Sequence, residues 1–204
     1  MTNNNNEKQL EVLSAHYSET FFLLKSAVER RDRLFLYMLG VTSLLLLYMS
    51  APSALGDWLN SFVNNQVGSA ANTTNLIEAS FIGAILLLGL LSLSHTYFQT
   101  VLHIERQYDY VYQLEEQLSA YFGGNAFIRE GKHYRKYKRR FSRWTKVIFW
   151  FLFPLLYLLF VVVWLIFLYR NPQIPSIYKV VDSLIMLSIL ISLGFYLLAL
   201  IKKR

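Results

Sequence analysis

The stretch HYRKYKRRFSRW, residues 133–144, contains the residue types in this sequence that could most readily bind something. Basic side chains pair with phosphates and aromatic rings stack on bases, so the composition suits nucleic acid. It equally suits a helix in a lipid headgroup layer, and a basic run beside a membrane span commonly only orients the chain. The basic residues are Arg135, Lys136, Lys138, Arg139, Arg140 and Arg143, and the aromatic residues are Tyr134, Tyr137, Phe141 and Trp144.

The aromatic residues of this stretch are spaced three, four and three apart, so on a helix they form one stripe with most basic residues elsewhere. A helix tethered directly to a span meets lipid before it meets nucleic acid. Each basic residue near an anionic leaflet contributes about 1 kcal/mol. We therefore expect binding to lipid or to a protein partner and no direct contact with nucleic acid.

Catalytic patterns are absent from the sequence. Without cysteine the chain has no disulfide, thiolate metal site or cysteine nucleophile. It also lacks a Gly-rich phosphate loop, HExxH, GxSxG and paired carboxylates at catalytic spacing. His95 and His103 are eight apart and share a helix face, but a metal site needs more donors, so we expect interfacial histidines. We predict no enzymatic activity, no cofactor and no metal.

The chain is 54% hydrophobic and 16% charged, which points to lipid as the solvent. Four stretches without Asp, Glu, Lys or Arg are long enough to cross ~30 Å of hydrocarbon, which takes about 20 helical residues. The third is apolar around its whole circumference. The sequence predicts an all-α polytopic membrane protein with a cytoplasmic helical stalk and four transmembrane helices, at 34–56, 79–97, 147–169 and 183–201.

The distribution of Lys and Arg predicts the orientation of the chain. Residues 1–33, 98–146 and 202–204 hold 18 of the 20, whereas 57–78 has none and 170–182 has two. Short cytoplasmic loops carry the basic excess in membrane proteins. Both termini and the segment 98–146 are therefore expected in the cytoplasm, with the loop 57–78 and a proline-kinked hairpin at 170–182 outside.

Two amphipathic segments adjoin the first two spans and predict a stalk. In residues 7–33 and again in 97–122, apolar residues recur every three or four positions, with Glu115 as one polar interruption, until Gly123 and Gly124 stop the second helix. We expect each helix to continue into its span and the two to pack together. Two interpretations of the stripe stay open, intramolecular packing and an oligomer or partner interface, at Tyr17, Phe21, Leu24, Val101, Tyr108, Val111 and Leu118.

The outer loop and the spans leave further alternatives. A short helix is expected at 57–63, followed by irregular chain that is either a connector or the receiver of an outside signal. No ionisable residue lies at the centre of a span, which argues against a transporter. A pore would need a polar stripe, for which the second span offers Ser80, Ser92, Ser94, His95 and Thr96.

In architecture the whole chain resembles the KwaA family, the membrane subunits of Kiwa anti-phage defence. The four spans carry the resemblance, together with the linker ERQYDYVYQLEEQLSAYFGGNAFIREGKHYRKYKRRFSRW. It implies a homo-oligomeric sensor of infection in the bacterial inner membrane that holds a cytoplasmic nucleic-acid-binding protein. The first half also resembles the SLATT membrane effectors, from which the chain departs by two further spans; that resemblance implies a depolarising pore.

These observations lead to two hypotheses. The first is a non-enzymatic inner-membrane sensor and scaffold that oligomerises and recruits a cytoplasmic partner in anti-phage defence. The second is an oligomeric pore-forming effector or small channel.

Overall fold

The computed structural model describes residues 2–67, 78–121 and 152–202. In these residues every secondary-structure element is a helix and there is no strand. The prediction of an all-α protein is confirmed. The helices are α1 (Thr2–Ser50), α2 (Pro52–Val67), α3 (Ala79–Tyr121), α4 (Phe153–Arg170) and α5 (Ser176–Lys202).

Four of these helices, α1, α3, α4 and α5, are long and apolar enough to cross a membrane. Their surface is lined with large apolar side chains that water would not tolerate in such density, and a lipid-facing surface accounts for them. The chain is thus a polytopic, multi-pass membrane protein. Among the exposed apolar residues are Leu36, Leu47, Leu88, Leu159, Phe195 and Leu198.

Helix α1 is continuous from the amphipathic segment into the first span, and α3 is continuous from the second span into the second amphipathic segment. The asparagine run at 3–6 belongs to α1. The first span ends at Ser50 rather than residue 56, because Pro52 cannot extend the helix and instead occupies the first position of α2. Helix α2 reaches Val67 and is longer than the predicted segment at 57–63.

The connection between α4 and α5 differs most from expectation. Only residues 171–175 separate the two helices, and α5 begins at Ser176 instead of residue 183. In its first turn the amides of Tyr178 and Lys179 donate to the Pro175 carbonyl at 3.1 and 3.3 Å. The predicted hairpin at 170–182 was therefore wrong over its second half, and Asp182 lies inside a span-forming helix.

In the described residues α4 begins at Phe153, so Pro154 stands in its first described turn. Residues 147–151 lie outside the described residues.

The chain divides into two compact units. The first, here called the helical pair, comprises Met1–Arg33 and Gln99–Phe153, of which the structure describes the N-terminal part of α1 and the C-terminal part of α3. The second, here called the span unit, comprises Leu34–Phe98 and Pro154–Arg204. Fully buried residues of the span unit include Leu45, Leu87, Leu90, Trp164, Leu168 and Ile189.

Within the span unit, α1 and α3 approach closely at Gly83. A Cβ atom on Gly83 would lie 3.0 Å from the Tyr48 ring. That ring has little freedom to yield, because it stacks on Trp164 at 5.9 Å and meets Phe167 edge-on at 6.0 Å. Glycine is therefore used here for the space that its missing side chain leaves.

Gly83→Ala should destabilise the span unit by about 1–3 kcal/mol, because the added methyl group overpacks the fixed Tyr48 ring. Thermal unfolding in lipid nanodiscs would measure the effect. Gly89→Ala in the same helix is the matched control: nothing lies within 4 Å of its Cβ position, so it gains the same helix propensity without a clash. Equal melting temperatures for the two variants would contradict the close approach.

Candidate functional site

The helical pair is built on an apolar seam. Leu24 on α1 packs with Ile104 and Val111 on α3 in one buried cluster, and Tyr17 and Tyr108 cover its edges. Each apolar stripe recurs every three or four residues, so each helix presents one continuous face to the other. The predicted stripes thus meet inside one chain.

Three polar side-chain contacts run beside this seam. The Tyr17 hydroxyl donates to the Glu115 carboxylate at 3.1 Å. His16 Nε2 and the Tyr110 hydroxyl lie 2.8 Å apart, with their rings edge to face at 5.8 Å. Near the ends of the helices the Tyr121 hydroxyl donates to Gln9 at 3.4 Å.

These contacts make the pair antiparallel and define its register. Gln9 contacts Tyr121, and Leu24 packs with Ile104. Residue numbers in α3 therefore decrease along the seam as those in α1 increase. A polar side chain at a buried seam position lowers the stability of the helix pair. It destabilises still more any other register in which that side chain would have no hydrogen-bond partner, and so selects one register. Glu115, only 3% exposed, has that role here.

The residues assigned to the stalk or oligomer interface are largely occupied within the chain. Leu24, Val111 and Leu118 are buried, whereas Tyr17, Phe21, Val101 and Tyr108 are half-buried. The apolar side chains that the pair leaves exposed lie elsewhere, at Val12, Phe22 and Leu23. An oligomer interface on the helical pair stays a prediction.

In the span unit, Ser94 joins α3 to α4. Its hydroxyl donates to the Leu90 carbonyl at 2.5 Å and forms a hydrogen bond with the Tyr157 hydroxyl. Around this pair Phe98 stacks on Tyr196 at 4.6 Å and meets Tyr157 edge-on at 6.5 Å. The Ser94 and Tyr157 hydroxyls thus lie among aromatic rings, and each has the other as a hydrogen-bond partner.

The polar residues considered for a pore stripe therefore do not share one face. Ser94 is completely buried, whereas Ser92 and His95 are exposed. The Thr96 hydroxyl donates to the Ser92 carbonyl within its own helix at 2.9 Å. Ser80, at the start of α3, lies near the Tyr48 hydroxyl.

Asp182 is a candidate functional residue that sequence reasoning missed. It is 3% exposed, and its Oδ1 atom has no hydrogen-bond partner. The carboxylate lies beside the Trp164 indole and near Tyr48, but the Trp164 N–H does not reach it with normal hydrogen-bond geometry. A buried carboxylate in a span-forming helix is costly and generally kept for function. The Pro175-Ser176 start signal could have placed Asp182 in the helix.

The basic aromatic stretch, from Tyr134 to Trp144, lies outside the described residues. His103 is exposed on α3. In comparisons of the chain with protein-family models, with curated proteins and with solved structures, nothing matched.

Tyr17→Phe should weaken the helical pair by about 1–3 kcal/mol, because it removes a donor to a buried carboxylate. Hydrogen exchange of the full chain in nanodiscs would then be faster in residues 7–33 and 99–121. Tyr37→Phe on the same helix is the control, since Tyr37 is 59% exposed. Unchanged exchange in Tyr17→Phe would mean that the apolar seam alone holds the pair.

Ser94→Ala and Tyr157→Phe should each destabilise the span unit, with a coupling energy of about 0.6 kcal/mol in a double-mutant cycle, as is usual for hydrogen bonds between membrane helices. Chemical unfolding in detergent of the wild type, the single variants and the double variant would measure it. Ser188→Ala is the control, because the exposed Ser188 hydroxyl donates only within α5. Strict additivity of the two changes would exclude a direct bond.

Proposed function

We propose that this protein is a non-enzymatic sensor and scaffold of the bacterial inner membrane. It self-associates and, in anti-phage defence, recruits a cytoplasmic nucleic-acid-binding protein through residues 98–145. The observation that carries the proposal is the continuity of α1 and α3, which each belong to both units without interruption.

An unbroken helix can carry a rotation or a shift along its length, because its backbone hydrogen bonds resist local bending. Sharp bends arise at Pro, at Gly or at irregular turns. Helix α1 has neither Gly nor Pro before Gly40, and α3 has none between Gly89 and its end at Tyr121. Neither helix therefore has a glycine or proline at the boundary between the units.

The side chains of the helical pair support a scaffold rather than a catalyst. Tyr17, Glu115 and His16 make hydrogen bonds between α1 and α3. A catalytic constellation would instead place a nucleophile, a base and an orienting group around a space for substrate. A pair held in one register presents a constant surface to a partner, which is the property that recruitment needs.

The basic segment supplies the charge for that recruitment. Residues 98–146 hold ten of the 20 Lys and Arg residues. Electrostatic attraction of this kind raises association rates and orients an acidic partner or an anionic leaflet. The cytoplasmic location follows from the same charge distribution.

The pore hypothesis has no comparable support. It requires polar residues along one face of a span, and in α3 Ser94 is buried and bonded to Tyr157 while Ser92 is exposed. We therefore propose the sensor and scaffold alone.

Charge reversal at Arg135, Lys136, Arg139 and Arg140 should abolish retention of the partner and leave insertion and topology intact. Native mass spectrometry of the protein purified in lipid from its own host would measure the oligomer and whatever copurifies. Accessibility labelling of both termini would check the topology.

The matched control exchanges Arg for Lys and Lys for Arg at the same four positions, so the side chains change and the charge does not. Retention by the exchanged variant and loss by the reversed one supports recruitment by charge. Equal retention by both contradicts recruitment through this segment, and ion leakage through liposomes containing the purified protein alone would favour the pore.

A further inference from the structure

Helix α2 carries an exposed aromatic pair on one of its faces. Trp58 and Phe62 are four residues apart, and their rings stack at a centroid distance of 5.9 Å. The two side chains are 65% and 54% exposed. Helix α2 is not one of the four span-forming helices, so the lipid contact of the spans does not account for this pair. Two large rings side by side on a surface indicate a contact that the span unit itself does not make.

The other two faces of α2 differ from the aromatic one. Successive residues of a helix are about 100° apart, so Gly56 and Asn60 lie on the side of α2 opposite Trp58. Both of these residues are buried. Asp57 and Ser61 are exposed and lie between the buried and the aromatic faces. The helix thus has a face against the span unit, a polar face and an aromatic face, which is the pattern of a helix that lies in a membrane interface.

Helix α2 begins where the lipid-facing surface of the spans ends. Only Ala51 separates it from α1, and the Ala51 N–H donates to the Leu47 carbonyl at 3.1 Å. Leu47 is 54% exposed in the last turn of α1, and Phe81 and Ile177 are 48% and 69% exposed in the first turns of α3 and α5. The end of α1 and the starts of α2 and α3 line one cavity with the connection between α4 and α5, so they share one end of the span unit.

Other residue types that favour a membrane interface occur at this end. Tyr169, near the end of α4, is 65% exposed, and its hydroxyl lies 3.1 Å from the Ser183 hydroxyl. Arg170 ends α4 and is also exposed. Trp and Tyr are enriched at the boundary between membrane and water, and Arg and Lys at helix ends reach toward the headgroups. The exposed Trp58 ring belongs to the same class of side chain.

The charge of α2 indicates which kind of surface it fits. Asp57 is its only charged residue, and it contains neither Lys nor Arg. Electrostatic attraction to an anionic leaflet or to an acidic protein therefore contributes nothing to its binding. The rings of Trp58 and Phe62 supply apolar area, which a lipid layer without net charge accepts. The adjoining surface of α1 already faces lipid, so contact of α2 with lipid continues an existing interface.

We propose that α2 is an interfacial helix whose Trp58 and Phe62 side chains insert into the headgroup layer of the membrane. The insertion is driven by apolar area, so lipid of no net charge suffices. The inference does not rest on the proposed function, because contact with the bilayer needs no partner protein.

Spin labelling of the full chain in phosphatidylcholine nanodiscs tests the proposal. Because the chain contains no cysteine, each introduced cysteine is the only site that is labelled. Collisions of the nitroxide with oxygen, which concentrates in lipid, and with a nickel chelate, which stays in water, report its depth. Cysteine replaces, one at a time, the exposed residues Ser53, Ala54, Asp57, Trp58, Ser61, Phe62 and Asn65.

We expect the depth to follow the helical period and to be greatest at positions 58 and 62, at about 5–10 Å into the boundary between headgroups and acyl chains. Ser61→Cys is the matched control for Phe62→Cys, because Ser61 is the adjacent residue, is equally accessible to the label and lies on the polar face. Its label should collide with the nickel chelate and not with oxygen in lipid.

Two results of this experiment would overturn the proposal. Equal collision of the labels at 61 and 62 with the nickel chelate would mean that the aromatic face is in water. Protection of the label at 62 from both reagents, with dipolar broadening that disappears on dilution with unlabelled protein, would mean that a second copy of the chain covers this face.

A second measurement keeps the native rings of α2 in place. The difference in fluorescence between the wild type and Trp58→Phe isolates the emission of Trp58 from that of the other tryptophans, and the variant retains an aromatic ring. This emission should be quenched most by phosphatidylcholine that is brominated near the glycerol end of its acyl chains, and less by lipid that is brominated near the methyl end. Quenching by aqueous acrylamide and by neither lipid would contradict the insertion.

Discussion

A helical backbone that must satisfy its own hydrogen bonds in lipid is the constraint on which this structure depends. Hydrocarbon offers no partner for an exposed N–H or C=O, so a segment that crosses alone has to be a helix, which satisfies both groups internally. Helices α1 and α3 keep that geometry beyond the length a bilayer requires, because their further residues are amphipathic and contain no Pro or Gly that would stop them. The same continuous helix therefore forms both a membrane span and part of the helical pair.

The two units use side chains differently along the same helices. In the helical pair, apolar residues such as Leu24 and Val111 pack against each other and are buried. This hydrophobic burial stabilises the seam. In the span unit, lipid is as apolar as a leucine side chain, so association depends on close packing and on hydrogen bonds. Gly83 against Tyr48 is an example of close packing, and Ser94 with Tyr157 is an example of a hydrogen bond between helices.

Two carboxylates, those of Glu115 and Asp182, are buried among the apolar side chains of these helices. Glu115 is buried but accepts a hydrogen bond from Tyr17, which makes it part of the register of the pair. Asp182 is buried beside Trp164, and its Oδ1 atom has no hydrogen-bond partner. Glu115 is therefore interpreted as structural, because its hydrogen bond joins α3 to α1.

The sequence by itself determined the helical class, the four crossings and the two amphipathic stripes, because hydropathy and the 3.6-residue period are local properties of the chain. It also showed that α1 and α3 could run on from their spans, since no breaker intervenes. The end of α1 before Pro52 and the early start of α5 were harder to predict, because a helix need not begin or end where the apolar stretch of sequence does. Only the tertiary structure decided that Ser94 is a buried bridge, that Tyr48 needs Gly83 opposite it and that Asp182 is buried. Those properties depend on residues tens of positions apart, and a local pattern does not specify which distant side chain will be the neighbour.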